Sequence, residues 1–416
     1  MEGETGLYSS YSLEAEKNST YKLNFPRAFS SVSFNIKQGS FSDSYLIVAS
    51  DTFRIYPDLH HSATDIIASE LVVINGSARD FRLYTGNMTG NIQIHFNHVP
   101  PAEGQDQQSR KKKEDARTEE ICSEPQIVTP AVWRTGLPAP VAPPDPTKVK
   151  HIIIHHSAGS NSVTNYTQQV RDIYVFHTKP ISSGGRGYND IAYNFLIAPD
   201  GVIYQGRDDQ GLYDKDNIKG AHLCARNDNT MGVCLLGTFT VEKPTAEAYH
   251  SLFHLISWKL NKEKLLPADA FLHPVINPDR MLSAVAGHRQ GCGTADTSYT
   301  NKSYTECPGD SVIFKMPYIK ASVKQNQNEC SATGVNDNNL KTAAYSIYPQ
   351  PAKESFSVSN TDETLEIFVY NSASEIILKA FCRGEEAVDI SMLNPGLYFV
   401  EIIGKKGKYV NKLLKN

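Results

Sequence analysis

The sequence predicts a multidomain chain: a central α/β domain, a mixed sheet with flanking helices, between an N-terminal all-β domain and a small C-terminal β-sandwich. Three observations predict it. Short apolar runs alternate with period two from about Tyr8 to Phe96, the spacing of half-buried strands. Across residues 148–320 strands alternate with long helical stripes, as in an α/β layer structure. A second set of short alternating runs fills residues 345–416. The divisions are 1–99 for the first domain, 100–121 for a charged linker, 122–330 for the central domain, 331–344 for a second linker and 345–416 for the last domain.

At the amino end, "YKLNF", "SVSFNI", "SYLIVAS", "DFRLYTG" and "NIQIHF" are separated by Gly, Asn, Asp and Ser, and a sandwich of strands is expected. His60, His61, His95 and His98 read there as solvated surface histidines rather than a metal site. The stretch "PPAEGQDQQSRKKKEDARTEE" is nearly free of apolar residues; it cannot bury enough surface to offset its ordering entropy and reads as linker. "PQIVTPAVWRTGLPAPVAPPDPT" is Pro-rich yet carries Val128, Val132, Trp133 and Leu137, so it is expected to wrap the following domain and pack Trp133 on it.

The central region opens with "KVKHIIIHHSA", a short buried strand. Tyr166, Val170, Ile173 and His177 then form a helical stripe, with Thr164 as the expected N-cap. "YNFLIAPDGVIYQGRD" reads as a hairpin turning at Asp200-Gly201, and "MGVCLLGTF" as a further strand. "PTAEAYHSLFHLISWKLNKEKL" is an amphipathic helix beginning at Pro244 or Thr245, with Leu252, Leu255, Ile256, Lys259 and Leu260 on one side. After "SATGVNDNN", the runs "TLEIFVYN", "EIILKAF", "GLYFVEIIG" and "YVNKLLK" predict the terminal antiparallel sandwich.

Composition narrows the function. A formal net charge of -4 over 416 residues lacks the basic excess of a nucleic-acid binder. No apolar stretch approaches the roughly 18 residues of a transmembrane segment. The amino terminus, "MEGETGLYSSYSLEAEKNST", has no apolar signal-peptide core, so either the chain is cytoplasmic or a leader is absent from this sequence. Of seven cysteines, none forms a CxxC pair; one as a metal ligand leaves six for bridges.

Histidines at both ends of "HIIIHHS" raise the question of what an imidazole does on a buried strand. Downstream, "VAGHRQ" presents His288 and "SYTECPGD" presents Cys307. Two imidazoles and a thiolate from three separate segments make a three-ligand set that leaves a fourth tetrahedral position for water, the arrangement of catalytic rather than structural zinc.

In order, "HIIIHHSAG", "YNDIAYNFLIAPDGVIYQGRD", "GAHLCARNDNTMGVCLLGTF", "AGHRQ" and "TECPGD" resemble the peptidoglycan recognition protein and type-2 N-acetylmuramoyl-L-alanine amidase family over residues 148–310. The resemblance implies Zn2+ held by His155, His288 and Cys307; strand alternation then puts His156 on the opposite face, beside the ligands or in the core, and His151 is expected as a surface residue at the strand's end. It implies Tyr193 as the tyrosine that assists catalysis and Thr305 as a supporting polar residue. His177, Tyr188, Asn194, Arg207 and His222 match substrate-binding positions of the cleft. Relatives that only bind cell wall lack the cysteine ligand, so Cys307 implies an enzyme cleaving the amide between N-acetylmuramic acid and L-alanine of peptidoglycan; the alternative is a recognition protein that binds without cutting. Gly187-Tyr188 stands where some relatives carry Gly-Trp and prefer diaminopimelate stem peptides, and "GTF" at 237–239 departs from the commoner Gly-Asn or Gly-Asp. Cys224 and Cys234 are open to pairing with each other or with Cys292, and Cys122 with Cys330 would tie the domain's ends.

"YSIYPQPAKESFSVS", "VYNSASEIILKAF", "DISMLNPGLYFVEI" and the basic end "KYVNKLLKN" are similar to the type IX secretion sorting domain of Bacteroidetes. This implies type IX secretion machinery as a partner and export across the outer membrane, to the cell surface or beyond. A third reading is a β-rich adhesin whose central domain is a relic.

Overall fold

The computed structural model describes residues 6–58, 65–101, 123–224, 226–273, 280–292, 305–333, 345–359, 363–371, 375–404 and 407–416. Within them the first alternating runs form β1 (Tyr8–Ala15), β2 (Thr20–Gly39), β3 (Tyr45–Val48), β4 (Asp51–Arg54), β5 (Ile67–Ala68), β6 (Val72–Tyr84) and β7 (Met88–Asn97). Instead of two separately paired sheets, they make one antiparallel sheet in the order β1-β7-β2-β6-β3-β4, with β5 beside β2. The cause lies in β2, whose register breaks between Asn24 and Phe29 and again before Ser31. Such irregularities bend a strand, and one sheet can then enclose its own core of Phe29, Phe34, Leu46, Phe53, Leu83 and Phe96.

Polar positions on this sheet face protein instead of water. Ser30 and Ser31 each donate to Asp172 Oδ1 at 2.6 Å, and Lys179 Nζ donates to Asn97 Oδ1 at 2.7 Å. Asp58 pairs with Arg186, both buried. Leu71, Val73 and Val99 join the apolar cluster around Val170, Ile173 and Phe176. His95 and His98, expected in solvent, are buried, with hydroxyl partners Ser10 at 2.8 Å and Ser9 at 2.7 Å. Gly184 packs on the His95 ring: a Cβ there would come within 2.3 Å of it, at φ +75°. Sheet and central domain thus share one unit, Met1–Gln327. Most of the predicted linker, with His60, His61 and Cys122, lies outside the described residues.

The central sheet contains β8 (Ile127–Val128), β9 (His151–His156), β10 (Phe195–Ile197), β11 (Ile203–Gln205), β12 (Thr230–Leu235) and, beyond the β13–β14 pair (Ala270–His273 with Arg280–Ser283), β15 (Val285–Gly287). Its order is β15-β9-β12-β10-β11-β8. It is mixed: β9 runs parallel to β12 and β15, while β10 and β11 are antiparallel. Gly201, at φ +87°, turns that hairpin, a conformation that side chains resist. All of β9 is buried, as a run flanked by parallel neighbours and covered on both faces must be. Ile152 and Ile154 pack with Leu252, Ile256 and Ile319, so the alternating residues Ile153 and His155 point to the other face.

Helix α1 (Tyr166–Thr178) covers that other face. Its cap is Asn165, one residue past the expected Thr164: the Asn165 side chain accepts from Gln168 N, while Thr164 N is taken by Asn75 of the first sheet. Helices α2 (Ala246–Glu263) and α3 (Met316–Thr333) cover the opposite face. Thr245 caps α2, accepting from Ala248 N at 3.1 Å. Lys259, on the apolar side of α2, is fully buried and satisfied by Asp216 and Glu263, both at 2.7 Å, as a buried ammonium requires. Trp133 is fully buried, donating Nε1–H to Gln205 O at 2.7 Å beside the Tyr174 ring.

Asn328–Asn416 is the second unit. There β16 (Ser346–Tyr348), β17 (Ser355–Ser359) and β20 (Val388–Asp389) form one sheet. The other contains β18 (Thr364–Tyr370), β19 (Ile376–Arg383), β21 (Gly396–Gly404) and β22 (Gly407–Lys415), in the order β19-β18-β21-β22. Both contribute to one core, Ile347 and Phe356 with Ile367 and Val400. No helix among the described residues is long and apolar enough to cross a membrane.

Candidate metal centre

Three segments converge at the carboxyl end of β9, where parallel sheets commonly place their sites. The strand delivers His155. The end of β15 delivers His288, the first residue of a short helix, His288–Cys292. Cys307 precedes Pro308 in the loop leading to the turn Asp310–Ile313. Donor atoms of His155, His288 and Cys307 all lie within 4.8 Å of one another. Cys307 Sγ is 3.6 Å from His155 Nδ1, and the two imidazole rings are 4.3 Å apart. Tetrahedral zinc with one sulfur and one nitrogen ligand puts those atoms about 3.6 Å apart, so the donor set fits Zn2+ in both chemistry and spacing.

The surroundings orient these donors. His155 Nε2 is 2.9 Å from His222 Nδ1, which leaves Nδ1 of His155 toward Cys307. His222 Nε2 in turn lies 3.3 Å from the Thr230 hydroxyl. Burial, aided by Arg207, pulls the His222 pKa down to about 3, so the ring is neutral and bears one N–H, as a relay of this kind requires. Thr305 Oγ1 accepts from Cys307 N at 3.0 Å, and Arg289 N donates to Cys307 O at 3.0 Å. His156 N donates to Cys307 Sγ at 3.3 Å. Burial pushes the Cys307 thiol up, with that backbone bond opposing.

His156 turns away from His155, buried, with Nδ1 accepting from Phe239 N at 3.2 Å. Burial and Arg289 lower its pKa to about 3. His151, expected at the surface, is buried instead: its Nδ1 lies 3.1 Å from Ser283 O, and its ring packs on Phe271 and His273. The β13–β14 pair covers a strand end that the sequence leaves looking free.

Tyr193 stands beside the ligands, its ring 5.2 Å from His155 and 5.7 Å from His177. Burial pushes its pKa well up, and the nearby Cys234 and Cys307 add to the rise. His177 Nδ1 accepts from Ala192 N at 3.1 Å, and its ring lies 5.7 Å from Tyr188. The Asn194 amide is occupied within the fold, donating to Ile218 O at 2.6 Å and accepting from Gly232 N at 2.8 Å. Arg207 is drawn toward Asp190, Asp145 and Tyr188; neighbouring Asp208 pairs with Arg134 at 2.5 Å.

Cys224 is disulfide-bonded to Cys292, with Cα atoms 5.8 Å apart, and Cys234 is free. The bridged sulfurs beside His288 therefore offer no thiolate, and Cys307 is the thiol of the site. Cys330 is disulfide-bonded.

A cavity of 240 Å3 opens on this centre, lined by Tyr193, His288, Thr305 and Cys307 and also by Tyr56, Pro57 and Glu70 of the first sheet. No motif pointed to those three. The only signal was weak: an acidic residue, Glu70, directly before the apolar run of β6.

Comparison with known proteins follows the same division. Residues 145–310 match the family described as N-acetylmuramoyl-L-alanine amidase, and residues 346–416 match the secretion system C-terminal sorting domain. The chain is 29% identical over 243 residues to peptidoglycan-recognition protein LE of Drosophila melanogaster, covering 50% of this chain and 65% of the relative. It is 33% identical over 162 residues to peptidoglycan-recognition protein LB of the same organism, covering 38% and 54%. The chain thus spans less than two thirds of these curated relatives. The solved structure of Drosophila PGRP-LB wild-type is 27% identical with a TM-score of 0.34, covering 46% of this chain and 92% of that one.

Proposed function

We propose, from the premise that residues 145–310 are an N-acetylmuramoyl-L-alanine amidase family domain and residues 346–416 a secretion system C-terminal sorting domain, that the protein is an exported zinc amidase. Its substrate is peptidoglycan or soluble muropeptides, and the bond cleaved joins N-acetylmuramic acid to the L-alanine of the stem peptide. The observation that carries this reading is the convergence of His155, His288 and Cys307, the last two lining an open cavity. A protein that only binds cell wall has no need of a thiolate ligand there.

His155, His288 and Cys307 would hold Zn2+, which when bound lowers the pKa of a coordinated water to about 7 and polarises the scissile carbonyl. The chain's own residues do the rest. His222 fixes the tautomer and tilt of His155, and Thr305 fixes the backbone that carries Cys307. The Tyr193 phenol, neutral at physiological pH as phenols are and kept so by burial, donates a hydrogen bond to the oxygen that gains charge as the amide is attacked. His177, Tyr188 and Arg207 line the approach for the stem peptide, while Asn194 acts by bracing the strand beneath. Type IX machinery would read residues 346–416 as the export signal.

Digestion of purified sacculi by the zinc-loaded protein, followed by mass analysis, tests the reading. Free stem peptides beginning at L-alanine are expected, and chelation should stop their release. Intact muropeptides from loaded protein, with retained affinity for sacculi, would favour recognition without cleavage.

A further inference from the structure

The cavity over the metal centre does not end at the central domain. A second cavity of 260 Å3 adjoins it, and the two share Tyr56, Glu70, Ala158 and Thr238 in their linings. Its far wall is β4 and the start of β6 of the first sheet; its near wall is the loop 158–162 that follows β9. The sheet that builds the far wall is tied to α1 and the loop after it by Asp172, Lys179 and Arg186, within the same unit.

We propose that the amino-terminal sheet supplies a second substrate compartment, which takes sugar units of the glycan strand beyond the muramic acid that carries the scissile amide. This rests on the reading of the metal centre as a peptidoglycan amidase and adds a substrate preference to it. The lining has the chemistry a saccharide needs. Arg54 is exposed over the Tyr56 ring, 5.7 Å from its centroid. Glu242 is braced by Asn161, whose Nδ2 donates to Oε2 at 2.6 Å. Ser160 adds a hydroxyl, and Glu70 stands half-buried at the passage between the cavities. Sugar hydroxyls both donate and accept, so carboxylates, a guanidinium and hydroxyls around one aromatic face can satisfy several at once.

The test compares two soluble ligands with the same stem peptide, a disaccharide-tetrapeptide and a tetrasaccharide carrying two such peptides, on the full chain. The wild type is expected to show kcat/KM about tenfold higher for the tetrasaccharide. Arg54→Ala and Glu242→Ala should each bring that ratio to about one, with melting temperature and zinc content as checks on folding. The inference is overturned if the wild-type ratio is near one, if both variants keep the wild-type ratio, or if preference follows peptide length rather than sugar number. A wild type that cleaves neither ligand removes the hydrolase reading alone. The same ratio, read from dissociation constants on chelated protein, still decides whether the second compartment binds sugar.

Discussion

His155 is engaged at both ring nitrogens, by His222 behind and by the Cys307 sulfur in front. Orienting a ligand this way ordinarily affects metal affinity 10–100-fold. His222→Ala should therefore weaken zinc binding by about that factor in a competition titration with a chromophoric chelator; unchanged affinity would leave His222 without an orienting role. Tyr193→Phe should lower kcat by about 10²–10³ with zinc retained, and near-wild-type turnover would remove the phenol from the mechanism. The three candidate ligands could be picked out through the resemblance of their short motifs, His155 at the end of β9, His288 just after β15 and Cys307 in a loop. His222's contact with His155 could not, because it comes through space between segments 67 residues apart. The buried states of His151, His95 and His98 were hidden for a related reason: nothing local reveals what covers a strand.

Between elements, the informative seam is that of α1 with the first sheet. Nothing in the sequence around Ser30, Ser31 and Asn97 shows what covers them, so this seam was not legible; the period-two rule gives a face but not what lies against it. Asp172 sits at its centre, its pKa raised to about 6 by burial despite hydrogen bonds from Ser30, Ser31 and Gln168. A raised carboxyl pKa means that the folded state binds the extra proton. Its stability contribution is present below the ordinary value near 4 and is lost as pH rises through about 6, by up to about 3 kcal/mol. Denaturant titrations from pH 4 to 7 should show wild-type stability falling relative to Asp172→Asn, and a constant difference would refute this. Gly184→Ala should also destabilise the seam, by about 1–3 kcal/mol, because the new methyl group meets the His95 ring; a variant as stable as wild type would show that the ring can yield.

At the scale of the whole molecule, the succession of strand-only, mixed and again strand-only segments was legible from periodicity, since each change of spacing marks a change of element type. The joining of the first sheet to the central domain in one unit was not, because the intervening polar stretch reads as a spacer. The second unit is a separate body with its own core, as a sorting signal read by other machinery would require. Deleting residues 346–416 should retain the protein inside a host with type IX secretion; the truncated chain in the culture medium would contradict the export reading. All of this depends on a cation held by two imidazoles and one thiolate. X-ray absorption at the zinc edge of the loaded full chain reads that directly. One sulfur at about 2.3 Å with nitrogen and oxygen neighbours at about 2.0–2.1 Å is the expected shell, and Cys307→Ser should abolish the sulfur signal. A shell without sulfur, or one that survives that substitution, would contradict the account.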